Sequence, residues 1–292
     1  MKVSGFTIIR NAVKYDYPVV EAIKSILPLC DEMIVLIGNS EDDTLGLIES
    51  IGSGKIKIHH SVWDDSLRSG GRVLAVETNK AFDLVSADSD WAFYIQADEV
   101  IHEKYYDAIR EAMVRYKDDK QVEGLLFHYT HFYGNYKYVG DSRDWYNHEI
   151  RMIHNDKQIR SYRDAQGFRK NGKKLHVKLI DAYVYHYGWV KDPYHQMEKR
   201  RAFVRLYDNG ADNHPIIVKK EELYDYSYIN SLTLFKGTHP QVMQQRINRM
   251  DWEFEHDLKR KKFNLKDHFL YKFEKWIGKR LFEYRNYKII KD

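Results

Sequence analysis

Hydrophobic positions in the first hundred residues fall into two alternating patterns. Short stretches at Val3–Ile9, with Thr7 inside, Met33–Ile37, Ile56–His60 and Trp91–Ile95 read as strands, the first, second and fourth as apolar runs of the length and Val/Ile/Phe content of buried strands. Between them, apolar residues recur every three or four positions. These helical stretches run from Val19 to Leu27, closed by Pro28, from Leu45 to Ile51, and from Val73 to Val85 after Gly70-Gly71-Arg72. Another helix is predicted on Ile101, Tyr105, Ile109, Met113 and Tyr116. Strands alternating with helices of this length predict βαβ units and a mostly parallel, Rossmann-like sheet.

Beyond residue 117 the pattern changes. Gly124–Tyr129, Tyr136–Val139, Glu149–Ile153 and Leu175–Tyr185 read as strands rich in Tyr, His and Val, a mixed extension of the sheet. From Pro193 onward no strand is expected. His195–Tyr207 is helical, with Asn209-Gly210 as a stop. Met243, Ile247, Met250, Phe254 and Leu258 form one helical stripe, and Phe269, Phe273, Trp276, Ile277, Leu281 and Tyr284 another. The expected class is α/β, with an α/β domain over residues 1–192 and a helical C-terminal region over 193–292.

Composition adds constraints. The chain has 292 residues, 43% of them hydrophobic and 31% charged, enough for a real core. A single cysteine, Cys30, excludes an internal disulfide framework and agrees with a reducing compartment. Met1-Lys2-Val3 leads straight into a strand with no signal peptide, and no window of about 18 apolar residues occurs. A cytoplasmic protein is expected.

The net charge is +4, but residues 257–292 hold 12 Lys/Arg and 5 Asp/Glu, which leaves −3 for the rest. Charge confined to a tail argues against nucleic-acid binding. A basic amphipathic helix there can lie on the inner face of an acidic membrane; the alternative is that its apolar stripe packs on the α/β domain.

The chemistry-bearing residues sit at predicted strand ends, where open α/β sheets bind ligands. Arg10-Asn11 follow the first strand, Asn39 to Thr44 the second, and Gln96-Ala97-Asp98-Glu99 the fourth. Two acids at a strand end suit a hard divalent cation such as Mg2+ or Mn2+, although Asp98 as a helix N-cap explains the same residues. Asp42 or Asp43 can accept hydrogen bonds from a nucleobase or ribose, or cap the next helix. His186, late in the strand Ala182–Tyr187, is a metal ligand or a satisfied structural residue. Asp164 and Glu149 are candidate general bases; Glu149 can also pair with Arg151 on one strand face, and Asp164 with neighbouring arginines. No GxxxxGK[ST], GxGxxG, CxxC, HExxH or GxSxG pattern competes.

In this order, Phe6-Thr-Ile-Ile-Arg-Asn11, Val35-Leu-Ile-Gly-Asn-Ser40-Glu-Asp-Asp-Thr44, Arg72 with Asn79-Lys-Ala81, Phe93-Tyr-Ile-Gln-Ala-Asp98-Glu99 and His186-Tyr-Gly-Trp189 resemble the family 2 glycosyltransferases. The resemblance covers residues 3 to about 193. It implies a GT-A fold, a nucleotide-sugar donor (a UDP- or GDP-sugar) with Mg2+ or Mn2+, and inversion at the anomeric carbon. The acceptor would be a saccharide, a lipid-linked group or a protein. By position, Asp98 would bind the metal with Glu99 beside it and His186 as co-ligand. Asn11 and Asp42 or Asp43 would lie against the nucleoside, with Arg10 and Asn39 at the same strand ends. Arg72 would approach the ribose or diphosphate. Gln96 stands where the family's DxD motif has its first acid, and is a poorer hard-cation ligand. Asp164 is preferred to Glu149 as base, because the family's base lies shortly before the histidine. A second reading is a catalytically degenerate member that binds nucleotide-sugar without turnover. A nucleotidyltransferase is disfavoured, since Arg10-Asn11-Ala12-Val13 is not a Gly-rich basic loop.

Overall fold

The computed structural model describes residues 1–67, 69–207, 223–278 and 280–291; the expected helix stop at Asn209-Gly210 lies outside them. The strands are β1 (Val3–Ile9), β2 (Glu32–Ile37), β3 (Ile56–His60), β4 (Trp91–Tyr94), β5 (Glu99–Ile101), β6 (Gly124–Tyr133), β7 (Asn135–Gly140), β8 (His148–His154), β9 (Ile159–Tyr162), β10 (Gly167–Lys170), β11 (Lys173–Lys174), β12 (His176–Trp189), β13 (Leu232–Leu234) and β14 (Lys288–Ile289). The helices that matter for the site are α1 (Val19–Ile26), α2 (Thr44–Glu49), α3 (Arg72–Asp83), α4 (Tyr106–Tyr116) and α5 (Pro193–Tyr207).

Strands β3, β2, β1 and β4 lie side by side in that order, all parallel. Strand β8 continues the sheet antiparallel to β4, β6 pairs with β8, and β12 runs parallel to β6 on its other side. The class is therefore α/β, with helices on both faces of a mixed sheet. Period-two alternation sorts the side chains between the faces. Val3 and Ile9 of β1, Met33, Val35 and Ile37 of β2, and Trp91 and Phe93 of β4 meet α1 and α4. Phe6 and Ile8, Ile34 and Leu36, and Ala92 and Tyr94 meet α3 on the opposite face.

Several expectations change. The helix expected from Ile101 begins at Tyr106, because residues 99–101 are first pulled into β5, antiparallel to β12. The small sheet β9–β10–β11, absent from the expected elements, buries Ile159 and Phe168 in the α3-side core. Two short strands follow Pro193, where none was expected: β13 extends the sheet edge at β7, and β14 pairs with β12. The stripe Met243–Leu258 is helical only at its start, over Gln241–Met243 and Gln244–Asn248. Beyond it the chain lies across the β6–β7 hairpin. Trp252 Nε1 donates to the Gly134 carbonyl at 2.8 Å, and Phe254 packs on Tyr133 and Tyr138. A Cβ at Gly134 would sit 2.2 Å from the Phe254 ring, so this residue, at φ 73°, leaves the room that Phe254 fills. The second stripe is a helix only over Leu265–Ile277. Among the described residues, no helix is long and apolar enough to cross a membrane.

Candidate active site

A cavity of about 350 Å3 opens at the carboxyl ends of β1 and β4, roofed by α5. A second, of about 260 Å3, adjoins it and shares Arg10, Tyr17, Trp63, Leu74 and Phe203. Strand β4 ends when the Ile95 amide donates to the Phe6 carbonyl, and a tight turn follows, closed by Glu99 N–H to the Gln96 carbonyl at 3.1 Å. This turn sends Asp98 and Glu99 to opposite sides. β5 then pairs His186 with Glu99, and the Tyr187 amide donates to the Asp98 carbonyl at 2.8 Å. That register brings His186 Nε2 to 3.8 Å from Asp98 Oδ2. A Cβ at Gly188 would lie 2.6 Å from Asp98 Oδ2 and 2.7 Å from the His186 ring, so only glycine lets the two groups approach here.

Residues Lys191-Asp192-Pro193 reverse the chain, and α5 runs back over the cleft. Its Lys199 donates from Nζ to Asp98 Oδ2 and to the Gly188 carbonyl, both at 2.9 Å. Burial opposes ionisation of Asp98, but the charge and hydrogen bond of Lys199 outweigh it and hold the carboxyl below the usual range. Burial and the Lys199 charge lower the pKa of Lys191 to about 7; its Nζ donates to the Asp16 carbonyl at 2.7 Å.

The histidines have a defined tautomer. His131 Nε2 lies 2.8 Å from the Tyr146 carbonyl and must donate to it. Burial, reinforced by His186, pushes the His131 pKa well down, so the ring is neutral and its Nδ1 is an acceptor. His186 Nδ1, 3.2 Å away, therefore donates to it. That leaves His186 Nε2 with a lone pair facing the cavity beside Asp98.

Glu99 goes the other way. It is fully buried, and its carboxylate receives Arg151 Nη2 at 2.7 Å and Nε at 2.8 Å, with the Tyr129 hydroxyl at 2.7 Å. Arg151 packs over the rings of Tyr94 and Tyr129. The expected metal-binding role of Glu99 is thus corrected: both oxygens are committed to a bidentate ion pair. Nor is Asp98 a helix cap, since no helix starts there. Gln96 donates its amide to the Ala165 carbonyl at 3.3 Å. Among the described residues no three His, Cys, Asp or Glu side chains converge on a metal position. A Mg2+ or Mn2+ site needs oxygen ligands, and of the two cavity carboxylates Asp98 already carries an ammonium ion and Asp164 a tyrosine hydroxyl. The residues present do not fit the expected metal.

Of the candidate bases, Asp164 lines the first cavity and Glu149 does not. Asp164 sits at the tip of the β9–β10 turn between Arg163 and Ala165, which both have left-handed backbones (φ 55° and 61°). Its carboxylate accepts from the Tyr207 hydroxyl of α5 at 2.8 Å. Glu149 is buried under Gly167 and has no pairing with Arg151, which belongs to Glu99. Burial, aided by the Glu99 and Asp164 charges, raises its pKa to about 8.

The expected nucleoside contacts divide similarly. Arg10 lines both cavities, and Asn11 lines the second. Asn11 Oδ1 accepts from the Glu41 amide at 2.7 Å, tying the end of β1 to the loop after β2. Asp43 caps α2, accepting from the Gly46 amide at 3.1 Å. Asp42 accepts from the Lys14 amide and the Thr44 hydroxyl. Asn39 holds the Trp63 amide at 3.2 Å, and Arg72 is exposed at the start of α3. None of Asn39, Asp42, Asp43 and Arg72 lines either cavity. Asp43 is occupied by the first turn of α2, and Asp42 by Thr44 and the segment after β1. Sequence reasoning missed Tyr17, His131 and Lys199; the spacing within α5 marks a helix face but not what that face covers.

No family model matches the chain. It is 28% identical over 131 residues to an uncharacterized glycosyltransferase of Rickettsia conorii, a stretch covering 44% of this chain and 41% of that relative. Among solved structures, Staphylococcus aureus TarS 1–349 in complex with UDP-GlcNAc aligns with a TM-score of 0.40 at 16% identity, over 75% of this chain and 71% of that one. Mycobacterium tuberculosis glucosyl-3-phosphoglycerate synthase, in complex with Mn2+, UDP and phosphoglyceric acid, aligns with a TM-score of 0.30 at 19% identity, over 45% and 43%. Structural likeness at this level carries no argument about activity. The chain is an α/β protein, similar over part of its length to a glycosyltransferase.

Proposed function

We propose that the protein is an inverting glycosyltransferase of the GT-A kind, which moves a sugar from a nucleoside-diphosphate sugar to an acceptor hydroxyl. The observation that carries this is the pair of joined cavities at the sheet's carboxyl edge, with Lys199 and Asp98 on one side of the first and Asp164 in its wall. The partial similarity to a glycosyltransferase agrees with it. The nucleoside occupies the second cavity, by Asn11 and Trp63, and the sugar the first. Asp164 accepts the proton of the acceptor hydroxyl as its oxygen attacks the anomeric carbon. The bond from that carbon to the diphosphate breaks on the opposite face. His186 Nε2 accepts a hydrogen bond from a sugar hydroxyl and orients the donor.

A panel of UDP- and GDP-sugars, assayed for released nucleoside diphosphate, tests the reading. One donor should turn over, and Asp164→Asn should lower its turnover about a hundredfold with nucleotide affinity retained. Binding without turnover of any donor and acceptor would replace the enzyme by a nucleotide-sugar-binding protein.

We assign the helix Leu265–Ile277 to contact with an anionic membrane. Tyr271 donates to Asp141 at 2.7 Å, and Glu274 pairs with Arg143 at 3.0 Å, so this side is tied to the protein. Leu265, Phe269 and Trp276 point the other way, 94%, 67% and 82% exposed, beside the exposed Lys266, Lys272 and Lys275. The exposure of these three side chains does not fit the alternative, that the stripe packs on the α/β domain. The full chain should float with phosphatidylserine-containing vesicles, and Phe269→Glu/Trp276→Glu should not; equal flotation of both removes the assignment.

A further inference from the structure

A diphosphate leaving group needs positive charge against it, and the residues around Asp98 do not fit a divalent cation. We propose that Lys199 supplies that charge: its ammonium is the group that binds the donor's diphosphate, so that nucleotide binding requires no metal. The inference rests on the transferase reading and specifies how that site holds its donor.

The position of Lys199 is built rather than incidental. Residues 191–193 turn α5 back over the cleft, and the Lys199 side chain is 10% exposed at the cavity wall. Two of its three N–H donors are spent on Asp98 Oδ2 and the Gly188 carbonyl, both at 2.9 Å. The rings of Tyr17 and Phe203 flank the ammonium, with centroids 5.1 and 5.4 Å away. This cage fixes the nitrogen and leaves the third donor for a ligand. In a partly desolvated position such a cation binds phosphate oxygens strongly.

Charge around the first cavity sets what a divalent ion would meet there. Its acidic lining is Asp98 and Asp164; its basic lining is Arg10, Arg151, Lys199 and Arg200. With Arg151 paired to Glu99 and Arg10 to Asp65, Lys199 and Arg200 stand against Asp98 and Asp164, so the lining is balanced. A divalent ion on Asp98 would have to displace Lys199 or sit against it. Asp98, which the family resemblance makes a metal ligand, here positions an ammonium ion instead. Gln96 fits the same picture, since a site without a metal has no need of a second acid.

Calorimetric titration of the intact protein with UDP and with GDP, first in EDTA and then with Mn2+, decides the matter. One nucleotide is expected to bind with the same affinity, within about threefold, in both buffers. Lys199→Met should weaken it at least about tenfold, and Lys199→Arg should keep most of it. Paramagnetic resonance of free Mn2+ should show no uptake by the protein–nucleotide complex. Binding that appears only with Mn2+ would overturn the metal-free clamp while leaving the transferase reading intact. Wild-type affinity in a folded Lys199→Met protein would do the same. No binding of either nucleotide in either buffer would sink the transferase reading, and this inference with it.

Discussion

Asp98 and Glu99 are adjacent in sequence and belong to two different regions of the molecule. Glu99 lies inside the sheet, between Arg151 and the Tyr129 hydroxyl, with no exposure. Asp98 lies at the edge of a cavity, against one lysine and beside one histidine. The first pair joins β5 to β8; the second joins the end of β4 to a helix a hundred residues later. Desolvation separates their roles. A charge pair with no access to water holds structure and cannot exchange partners with a ligand, whereas a pair at a cavity wall can.

The largest expected effect breaks the inner pair. Glu99→Ala strands a buried guanidinium and should cost about 3–5 kcal/mol of stability. Asp98→Ala should cost less, about 1–2 kcal/mol, because Lys199 keeps the Gly188 carbonyl and opens onto the cavity. Denaturant titration of both variants measures the contrast, and equal losses would erase the distinction.

A pH-dependent effect comes from Glu149, which stands beside the inner pair. The groups acting on it are Arg151, Glu99, Asp164 and Arg169. Its pKa is raised to about 8, against an unfolded value of 4.5. The native state therefore holds a proton that the unfolded state releases. That contribution is fully present below pH 4.5 and is lost as pH rises through 8. Between pH 5.5 and pH 9 the loss is about 3 kcal/mol, and Glu149→Gln should remove it. Lys191, with its pKa lowered to about 7, works in the opposite sense from pH 7 upward in both proteins and cancels in the comparison. Parallel melting curves for the two proteins across that range would show that Glu149 ionises normally.

How legible the chain was follows from how local each decision is. The buried strands β1, β2 and β4 and helices α1, α3 and α5 were readable because each stretch must hide its own apolar face, and period two or three-and-a-half reports that need directly. Arg10, Gln96 and Asp98 were readable as cavity residues, since parallel strands put their carboxyl ends on one edge, whereas His186 and Asp164 were singled out by residue type and by the family resemblance. The Asn39–Thr44 loop offered two explanations, a nucleoside contact and a cap. In the structure Asp43 caps α2, and Asp42 accepts from Thr44 and from the Lys14 amide.

What sequence alone determined, then, is the α/β class, the parallel start of the sheet and the edge where a ligand would enter. Those follow from hydrophobic period and chain direction, which are properties of contiguous residues. Tertiary structure alone decided which of two neighbouring acids faces the ligand, and which cation meets it. The turn after β4 and the register of β5 on β12 bury Glu99 against Arg151, and the reversal at Pro193 carries Lys199 to Asp98. Charges separated by 52 and 101 residues leave no periodic trace in a sequence. Only their meeting in a place poor in water makes one pair a fixture of the fold and the other a site.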